Sequence, residues 1–458
     1  MKNRLKLKIM TVGDVKLDFV LYCALFLSTL IYSVYCGIHI LFPLTLGLIC
    51  FSVMGIHRGF SVKSVLRMIY EGMASVAVIM RIFILIGALT AVWRACGTIP
   101  FFVYYGVSMI DPRFFVLFVF IMSCFISLLV GSSIGSAATI GIVLMIMARS
   151  GGADASATAG AIVAGVYFGD RCAPTSASAN LIAVLTKTDT LNNIKNMLRS
   201  ALVPFILSTI IYLALSIYSG MDKTDNYLLS EISANFNIGI VTAIPALLII
   251  ILSLLRFRVL VSISVSILSG ILIAVPVQGV GIYELTKYIL TGYELGSSGE
   301  FAKIISGGGV TSMLSAMFTI MISAGYSGIF EGTGVLKDII GFLLSCSRKL
   351  AVYPVTLITA FFTAAFGCTQ TISVMLTHQL VRGIYIENGL SDSALAIDLE
   401  DSSVVVSALV PWNIAVSAPM IMLSVGVSCI PYAVFLYILP IYRLFYNYPK
   451  NRHVTGLK

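Results

Sequence analysis

Charged side chains are scarce in this chain of 458 residues. Only 11% of the residues are Asp, Glu, Lys or Arg, whereas 59% are hydrophobic and the mean hydropathy is +1.01. A soluble domain carries about 25% charged residues. The composition therefore excludes a separate soluble domain and predicts a polytopic membrane protein.

Patterned cysteine and histidine are also missing. The nine cysteines are mostly isolated within apolar runs, and no CxxC pair or Cys/His spacing occurs. The sequence thus indicates neither a structural zinc site nor a disulfide framework, and we expect no cofactor. The net charge of +9 comes from basic residues in short loops and near both ends. That distribution is typical of the positive-inside rule and does not indicate a nucleic-acid partner.

Long apolar runs fill most of the chain. A membrane span needs about 20 apolar residues, and several runs are shorter or rich in Gly and Ser. We therefore predict an all-α protein with roughly ten to thirteen transmembrane helices, some of them discontinuous or re-entrant. The candidate spans lie near 18–36, 38–56, 74–95, 114–130, 134–149, 155–168, 198–219, 237–255, 259–276, 311–330, 349–366, 368–386, 404–426 and 428–447.

The charges of the loops predict the orientation. Residues 1–16 are basic and lack a signal-peptide cleavage pattern, so we interpret them as a cytoplasmic tail. The acidic stretch 220–236 is predicted to be an external loop between a first half, 17–219, and a second half, 237–447. The basic residues of 448–458 and the end of the preceding span predict a second cytoplasmic tail. We expect a multi-pass protein of the cell membrane.

The two halves have the same order of features. An offset of 237 residues pairs Gly72 with Gly309 and Pro174 with Pro411. Each half runs from a Gly-rich turn through apolar spans to a Gly/Ser/Thr-rich segment and then a patch with Asp, Pro and Asn. We predict two inverted repeats that meet at polar, helix-breaking segments near the membrane midplane.

The first polar patch is residues 168–180, which contain Asp170, Arg171 and Asn180 between apolar runs. An ionisable group at membrane depth is costly unless it is buried in protein or hydrated. A salt bridge between Asp170 and its neighbour Arg171 is disfavoured, because adjacent residues on a helix point apart. Burial disfavours the charged form of a carboxylate, so Asp170 is the candidate for binding either a proton or a sodium ion.

Small and hydroxyl residues fill the segment 131–139 upstream of that patch. One interpretation is an unwound turn in which Ser133 and Thr139, with Ser176 and Asn180, supply neutral oxygens to a cation. The other is close helix packing through small residues. The carboxylate at Asp170 favours the first.

The second polar patch runs from Glu400 and Asp401 to Asn413, and Gln370 lies upstream of it. Asp401 is a candidate ion ligand with Gln370 and Asn413. It is equally a candidate cap or first-turn acid of the following apolar segment. We interpret Asp398 as part of a solvated loop.

Accessory candidates lie elsewhere in the second half. Glu331 ends an apolar span, and His378 and Arg382 lie one helical turn apart. Glu331 is a candidate secondary proton or substrate group, and the His378–Arg382 pair is a candidate partner for a substrate carboxylate or a helix end. Arg94 is interpreted as snorkelling to the interface.

Four stretches carry a resemblance to a known family: residues 131–141 (GSSIGSAATIG), 168–181 (FGDRCAPTSASANL), 307–313 (GGGVTSM) and 399–413 (LEDSSVVVSALVPWN). They resemble motifs of the NhaC family of sodium/proton antiporters, within the wider ion-transporter superfamily. The resemblance implies secondary active exchange of sodium for protons, and some members exchange organic anions or amino acids. It places Asp170, Asn180, Asp401 and Asn413 on polar motif positions, and it implies a homodimer.

Three positions depart from the family pattern. Ala177 and Thr369 stand where the family has acidic residues, and Arg171 replaces a lysine. The loss of two carboxylates leaves open an ion-coupled carrier of a small organic acid or amino acid, with Arg171, or Arg382 with His378, as the carboxylate partner. A third hypothesis is an intramembrane serine protease, because residues 325–328 (GYSG) match a short GxSG pattern and His378 offers a base. A channel is disfavoured, since no filter signature is seen.

Overall fold

The computed structural model describes residues 41–109, 112–174, 176–218, 226–255, 257–295, 306–334, 351–367 and 369–447, with residues 22, 25, 26, 28, 29, 32, 33 and 36. The predicted tails, 1–16 and 448–458, lie outside the described residues. Within the described part the chain is helical, and its only β pairing is one isolated bridge between Tyr293 and Gly307.

Nine helices precede residue 219 in the described chain. They are α1 (Leu41–His57), α2 (Val62–Ser75), α3 (Ala77–Ala95), α4 (Thr98–Met109), α5 (Phe115–Val130), α6 (residues 133–150), α7 (Ala155–Cys172), α8 (Ala177–Thr186) and α9 (Thr190–Tyr218). A short 3₁₀ turn, Pro112–Phe114, precedes α5. The stretch α6 contains a wider π-helical turn at Ala137–Gly141.

Ten further helices follow in the described chain. They are α10 (Asn226–Asn235), α11 (Ile240–Leu254), α12 (Val259–Gln278), α13 (Ile282–Thr291), α14 (Leu314–Thr333), α15 (Val352–Gly367), α16 (Gln370–Glu387), α17 (residues 392–407), α18 (Ile414–Met422) and α19 (Val434–Asn447). The π-helical turn of this half, Glu400–Val404, lies inside α17. The 3₁₀ turns Val310–Met313 and Val427–Tyr432 precede α14 and α19.

Several of these helices suit a bilayer. Four are long and apolar enough to cross a membrane: Ala77–Ala95, Thr190–Tyr218, Val259–Gln278 and Val310–Thr333. Seven shorter apolar helices accompany them in the described chain, as expected where spans are broken. The predicted all-α, multi-pass architecture with discontinuous helices is confirmed, while the number of membrane crossings stays a prediction.

The helix bounds repeat between the halves. Phe115–Val130 and Val352–Gly367 are both 16 residues long and lie 237 positions apart. The same offset relates the caps that begin the next three helices: Ser132 to Thr369, Asp154 to Ser391, and Ser176 to Asn413. The sequence offset therefore corresponds to a repeated order of helices and breaks.

Glycines allow the closest helix contacts. A Cβ at Gly169 of α7 would lie 2.5 Å from the Leu128 backbone nitrogen of α5, and one at Gly328 of α14 would lie 2.2 Å from the Met68 carbonyl oxygen of α2. The Ser327 hydroxyl next to Gly328 donates to the Gly367 carbonyl oxygen at 2.5 Å. The GYSG segment is thus a helix-packing element of the kind common in membranes.

Candidate functional site

The first break in the helical path lies between α5 and α6. Gly131 adopts a left-handed conformation with φ 72°, which ends α5 and which glycine tolerates without strain. The Ser132 hydroxyl then accepts from the Gly135 N–H at 3.1 Å and caps α6. The chain therefore leaves one helix and enters the next within two residues.

Asp170 lies beside this break, near the end of α7. Its side chain is 6% exposed. The hydrogen-bond donors that face its carboxylate are the hydroxyl and N–H of Ser133 and the hydroxyl of Ser176. Because Ser133 begins α6 and Ser176 caps α8, two helix N-termini lie next to the carboxylate and favour negative charge there.

A cavity of about 440 Å³ adjoins Asp170. Its polar wall consists of Ser132, Ser133, Asp170, Ser178, Gln370 and Thr371, and Ala177 also lines it. Gln370 is the first residue of α16, which follows the second break, and its amide nitrogen has no hydrogen-bond partner in the described chain. The cavity thus lies between the two broken regions, one from each half.

No arginine or lysine in the described chain forms an ion pair with Asp170. An unpaired carboxylate in an apolar surrounding requires a proton or a cation. Hydroxyl and carboxylate oxygens are the hard ligands that such a cation takes. Asp170, with Ser133 and Ser176, has the chemistry of a site for a proton or a small monovalent cation.

Arg171, next in sequence, points elsewhere. Its guanidinium pairs with the Asp401 carboxylate, and both side chains are 0% exposed. It also donates to the Ser200 hydroxyl at 2.9 Å and to the Met197 carbonyl oxygen. The expected absence of an Asp170–Arg171 salt bridge is seen. The hypothesis that Arg171 holds a substrate carboxylate is wrong for this conformation, because Asp401 occupies it.

Asp401 is held by a second arginine as well. Arg443 of α19 lies 3.5 Å from its other carboxylate oxygen. Asp401 lies in the middle of the helical stretch α17, so it is neither the cap nor a first-turn acid of a helix that begins there. The helix that follows is α18, and Asn413 caps it by accepting from the Ala415 N–H at 2.9 Å.

The interpretation of Asp398 as part of a solvated loop is wrong. Asp398 is 4% exposed, accepts from Arg443 at 2.9 Å and accepts from the Tyr385 hydroxyl at 2.7 Å. Asp398 and Asp401 are three residues apart and so share one face of α17. That spacing places the two acids together on the helix, but it does not identify Arg443 as their partner, because Arg443 lies on a distant helix.

Three residues that were predicted to supply oxygens to a cation instead form hydrogen bonds to backbone carbonyl oxygens. The Thr139 hydroxyl donates to the Gly135 carbonyl oxygen at 2.9 Å inside the π-helical region. The Asn180 side chain is exposed, and its amide donates to the Ser176 carbonyl oxygen at 2.7 Å. The Asn413 amide donates to the Ala364 carbonyl oxygen at 2.8 Å. None of the three lines the cavity at Asp170.

The accessory candidates also lie away from Asp170. Glu331 is exposed and lines a separate pocket of about 210 Å³ with Gln379. His378 is buried on α16 without a hydrogen-bond partner for either ring nitrogen in the described chain, and Arg382 is half-buried one turn later. Neither residue belongs to the cavity wall.

Glu400 was noticed in the sequence only as part of its motif. It is 2% exposed, and neither of its carboxylate oxygens has a hydrogen-bond partner in the described chain. It interacts electrostatically with Arg171, Asp170 and Asp401. Sequence spacing gave no signal for it, because Glu400 and Asp401 are adjacent and point in different directions on the helix.

Comparison with known proteins agrees with this picture of a carrier. The Na⁺/H⁺ antiporter family matches residues 165–448. The malate-2H⁺/Na⁺-lactate antiporter of Bacillus subtilis is 30% identical over 371 residues, covering 79% of this chain and 78% of that protein. The Na⁺/H⁺ antiporter NhaC of Alkalihalophilus pseudofirmus is 28% identical over 379 residues, covering 80% and 81%. The NhaC of Bacillus subtilis is 27% identical over 422 residues, covering 89% and 92%.

The family match covers the Asp170 patch and the broken region of the second half, and it begins after the first break at Gly131. The family match begins five residues before Asp170 and continues through Asp401 and Asn413. It establishes a transporter and not an enzyme, so the serine protease hypothesis is wrong, and Ser327 serves helix packing. Sodium and protons are the transported species, and the chain is a multi-pass membrane protein. The protein belongs to the Na⁺/H⁺ antiporter family and is a secondary transporter of the NhaC type.

Proposed function

We propose that Asp170 is the group that binds sodium and protons in turn. The observation that carries this proposal is a buried carboxylate without an ion-pair partner in the described chain, at a helix break beside a cavity. Asp401 is neutralised by Arg171 and lies close to Arg443, which leaves Asp170 as the carboxylate of the cavity wall that is free to exchange its ligand.

Sodium would replace the proton on Asp170 and take oxygens from Ser133 and Ser176. These hydroxyls donate to the carboxylate, and each oxygen retains a lone pair for a cation. The Gln370 side chain, across the cavity, offers its carbonyl oxygen as a further ligand. Because the proton and the sodium ion need the same oxygens, binding of one excludes the other, which is the requirement for antiport.

Alternating access would follow from movement of the broken helices of the two halves. The repeated helix bounds support a pair of repeats, and the loop charges support an inverted relation between the halves, 17–219 and 237–447. The same charges support cytoplasmic tails at 1–16 and 448–458, an external loop at 220–236 and a cell-membrane location. A homodimer is proposed from the superfamily resemblance.

A matched pair of variants tests the role of Asp170. Everted vesicles from an antiporter-deficient host are loaded with a pH-sensitive dye, and dequenching is followed on addition of sodium, lithium or potassium. We expect a sodium-dependent signal from the parent protein, none from Asp170→Asn, and an unchanged signal from Glu71→Gln. Glu71 is an exposed acid that pairs with Arg67 on α2, so it controls for loss of one negative charge. Sodium-dependent exchange by an inserted Asp170→Asn protein would contradict the proposal.

A second candidate function is ion-coupled exchange of a small organic acid or amino acid. Arg94 lines a separate cavity of about 400 Å³ with Thr90, Ser312 and Thr319. Its Nη1 donates to the Thr90 carbonyl oxygen at 2.9 Å, and its Nε has no hydrogen-bond partner in the described chain. An arginine that pairs with no carboxylate of the described residues is suited to a carboxylate ligand. The relative named as a malate/lactate antiporter gives this candidate a precedent.

Counterflow in proteoliposomes separates the two candidates. The protein is tested with lactate, malate and a panel of amino acids, each with and without a sodium gradient. Uptake that is lost in Arg94→Gln and retained in Arg67→Gln would support organic-acid exchange, since Arg67 is exposed on α2. Absence of uptake for every compound, in liposomes that exchange sodium for protons, would eliminate it.

A further inference from the structure

The C-terminal end of α15 is held by three side chains from other parts of the fold. The last carbonyl groups of a helix have no partner within that helix, and in a membrane each of them needs a donor. At the end of α15 the donors are side chains that pack around it, and we call these three side chains the α15 clamp. They are the Asn413 amide, the Trp412 indole N–H and the Ser327 hydroxyl, which donate to the carbonyl oxygens of Ala364, Ala365 and Gly367 at 2.8, 2.7 and 2.5 Å.

The α15 clamp comes from two separate elements and is largely buried. Ser327 lies on α14, whereas Trp412 and Asn413 lie between α17 and α18. Ser327 is 3% exposed and Asn413 is 0% exposed, and the Trp412 ring contacts the Phe26 ring edge-on with centroids 6.4 Å apart. Buried hydrogen bonds are costly to leave unmade, so the end of α15 keeps one position as long as these elements stay packed.

Gln370 follows the clamped helix end directly. It is the first residue of α16 and lies three positions after Gly367. The two helices touch at this break, since a Cβ at Gly367 would lie 3.0 Å from the Ile372 side chain of α16. They are also joined farther from the break, where the Thr363 hydroxyl bonds to the Thr377 hydroxyl at 2.7 Å. The clamp that fixes the end of α15 therefore also fixes the start of α16, where Gln370 lines the Asp170 cavity.

The corresponding residues of the first half have other partners. At the offset of 237 residues, Ser327 corresponds to Thr90, whose hydroxyl donates to carbonyl oxygens of its own helix. Asn413 corresponds to Ser176, whose hydroxyl donates to the Asp170 carboxylate. In the first half these positions therefore serve their own helix and the carboxylate, whereas in the second half they hold a helix end.

We propose that the α15 clamp positions Gln370 for sodium binding. This inference rests on the proposed sodium site at Asp170. None of the three clamp residues lines the cavity, so they are positioning residues that act through Gln370. A ligand that is already held in place loses little conformational freedom when the ion arrives. The clamp therefore raises the affinity for sodium by fixing the Gln370 carbonyl oxygen before the ion binds.

Sodium affinity and maximal rate, measured separately, test the proposal. Initial exchange rates over a sodium series, in everted vesicles from an antiporter-deficient host, give the half-saturating concentration and the maximal rate. We expect Ser327→Ala to raise the half-saturating sodium concentration about fivefold at a nearly unchanged maximal rate, because one hydrogen bond to the helix end is lost. Thr333→Val is the matched control and should behave as the parent, since the Thr333 hydroxyl on the same helix donates to the Ile329 carbonyl oxygen.

A double variant shows whether Ser327 acts through Gln370. If it does, the effects of Ser327→Ala and Gln370→Ala on the half-saturating concentration do not add, because the side chain that the clamp positions is already absent. The double variant should then match Gln370→Ala alone. Trp412→Phe removes another donor of the clamp and keeps an aromatic ring. It should raise the half-saturating concentration in the same way, so failure of Ser327→Ala to insert does not protect the proposal.

Each outcome decides the matter. An unchanged half-saturating concentration in the inserted clamp variants, or a lower maximal rate alone, overturns the proposal. Additive effects of Ser327→Ala and Gln370→Ala also overturn it, because the clamp would then act independently of Gln370. If Gln370→Ala leaves the half-saturating concentration unchanged while Asp170→Asn abolishes exchange, Gln370 and the clamp lose their roles and Asp170 keeps its own. Retained exchange in Asp170→Asn removes the proposed sodium site itself.

Discussion

The two halves share a helical framework but distribute charge differently. At the offset of 237 residues, Asp170 of the first half corresponds to Ser407 of the second, whose hydroxyl only donates to the Ser403 carbonyl oxygen. Conversely, Asp398, Glu400 and Asp401 correspond to Ala161, Val163 and Ala164. The first half contributes one free carboxylate beside a cavity, and the second contributes a cluster of three acids, two of which are paired with arginines.

This difference teaches that a broken helix does not by itself make a binding site. Both halves contain a helix break followed by a capping residue, but the polar residues near the two breaks differ. The π-helical turn lies in α6 of the first half and in α17 of the second, where it coincides with Glu400 and Asp401. Arg171 of α7 pairs with Asp401 of α17. The helix that contains Asp170 is therefore connected to the acidic cluster of the second half. In this cluster the Arg171–Asp401 pair connects the two halves, whereas the Asp398–Arg443 pair lies within the second half.

The largest effect should come from breaking the connection between the halves. Arg171→Leu leaves the buried Asp401 without its closest partner, and removal of one member of a buried ion pair costs about 3–5 kcal/mol. The double variant Arg171→Leu with Asp401→Leu should recover much of that loss, because neither member of this pair is then left without the other. Thermal unfolding in detergent measures both. Equal destabilisation by the single and double variants would contradict the pairing.

A smaller effect is expected from the outer part of the cluster. Asp398→Asn removes the ion pair with Arg443, whereas Tyr385→Phe removes one hydrogen bond to Asp398 and one with the Thr356 hydroxyl. Hydrogen bonds to charged groups contribute about 1.5–3 kcal/mol, so Tyr385→Phe should lie within that range and Asp398→Asn should exceed it. Thermal unfolding in the same detergent shows which of the two variants is destabilised more. An Asp398→Asn protein as stable as the parent would contradict a stabilising role of the Asp398–Arg443 ion pair.

The smallest effect concerns the neutral ligands of the first half. Ser133→Ala removes a hydroxyl that faces Asp170, and the loss of about 1.4 kcal/mol would raise the sodium concentration for half-maximal exchange about tenfold. Thr139→Ala is the matched control, because the Thr139 hydroxyl bonds to the Gly135 carbonyl oxygen and does not line the cavity. Initial rates over a sodium series measure both. Equal effects of the two substitutions would mean that Ser133 acts through helix structure and not as a ligand.

Much of the fold followed from the sequence because its cause is local and strong. Apolar runs without charge leave a helix as the structure that satisfies the backbone in a membrane. The repeated order of helices and breaks was visible in the sequence, since glycine and capping residues determine where helices end. The number of membrane crossings could not be predicted closely from the sequence, because short broken helices and full spans have similar composition.

The site was only partly accessible from the sequence. Four residues that were predicted from residue type do lie together. Asp170, Ser133 and Gln370 line one cavity, and Ser176 donates to Asp170. Asn180 and Asn413 are also polar, but the Asn180 amide bonds within its own turn, and Asn413 caps α18 and donates to the Ala364 carbonyl oxygen. Asp398 was misinterpreted because its partner, Arg443, lies 45 residues later. Pairing between distant helices is a property of tertiary packing, and residue spacing does not report it.

Competition between sodium and a proton at Asp170 is the central claim, and proton release on sodium binding tests it most directly. Purified protein in detergent and weak buffer is titrated with sodium chloride, with choline chloride as the ionic-strength control, and the pH change is recorded. The account predicts proton release by the parent protein and by Glu331→Gln, and none above the choline baseline by folded Asp170→Asn. Equal release from the parent and from Asp170→Asn would contradict it, because the displaced proton would then come from another group.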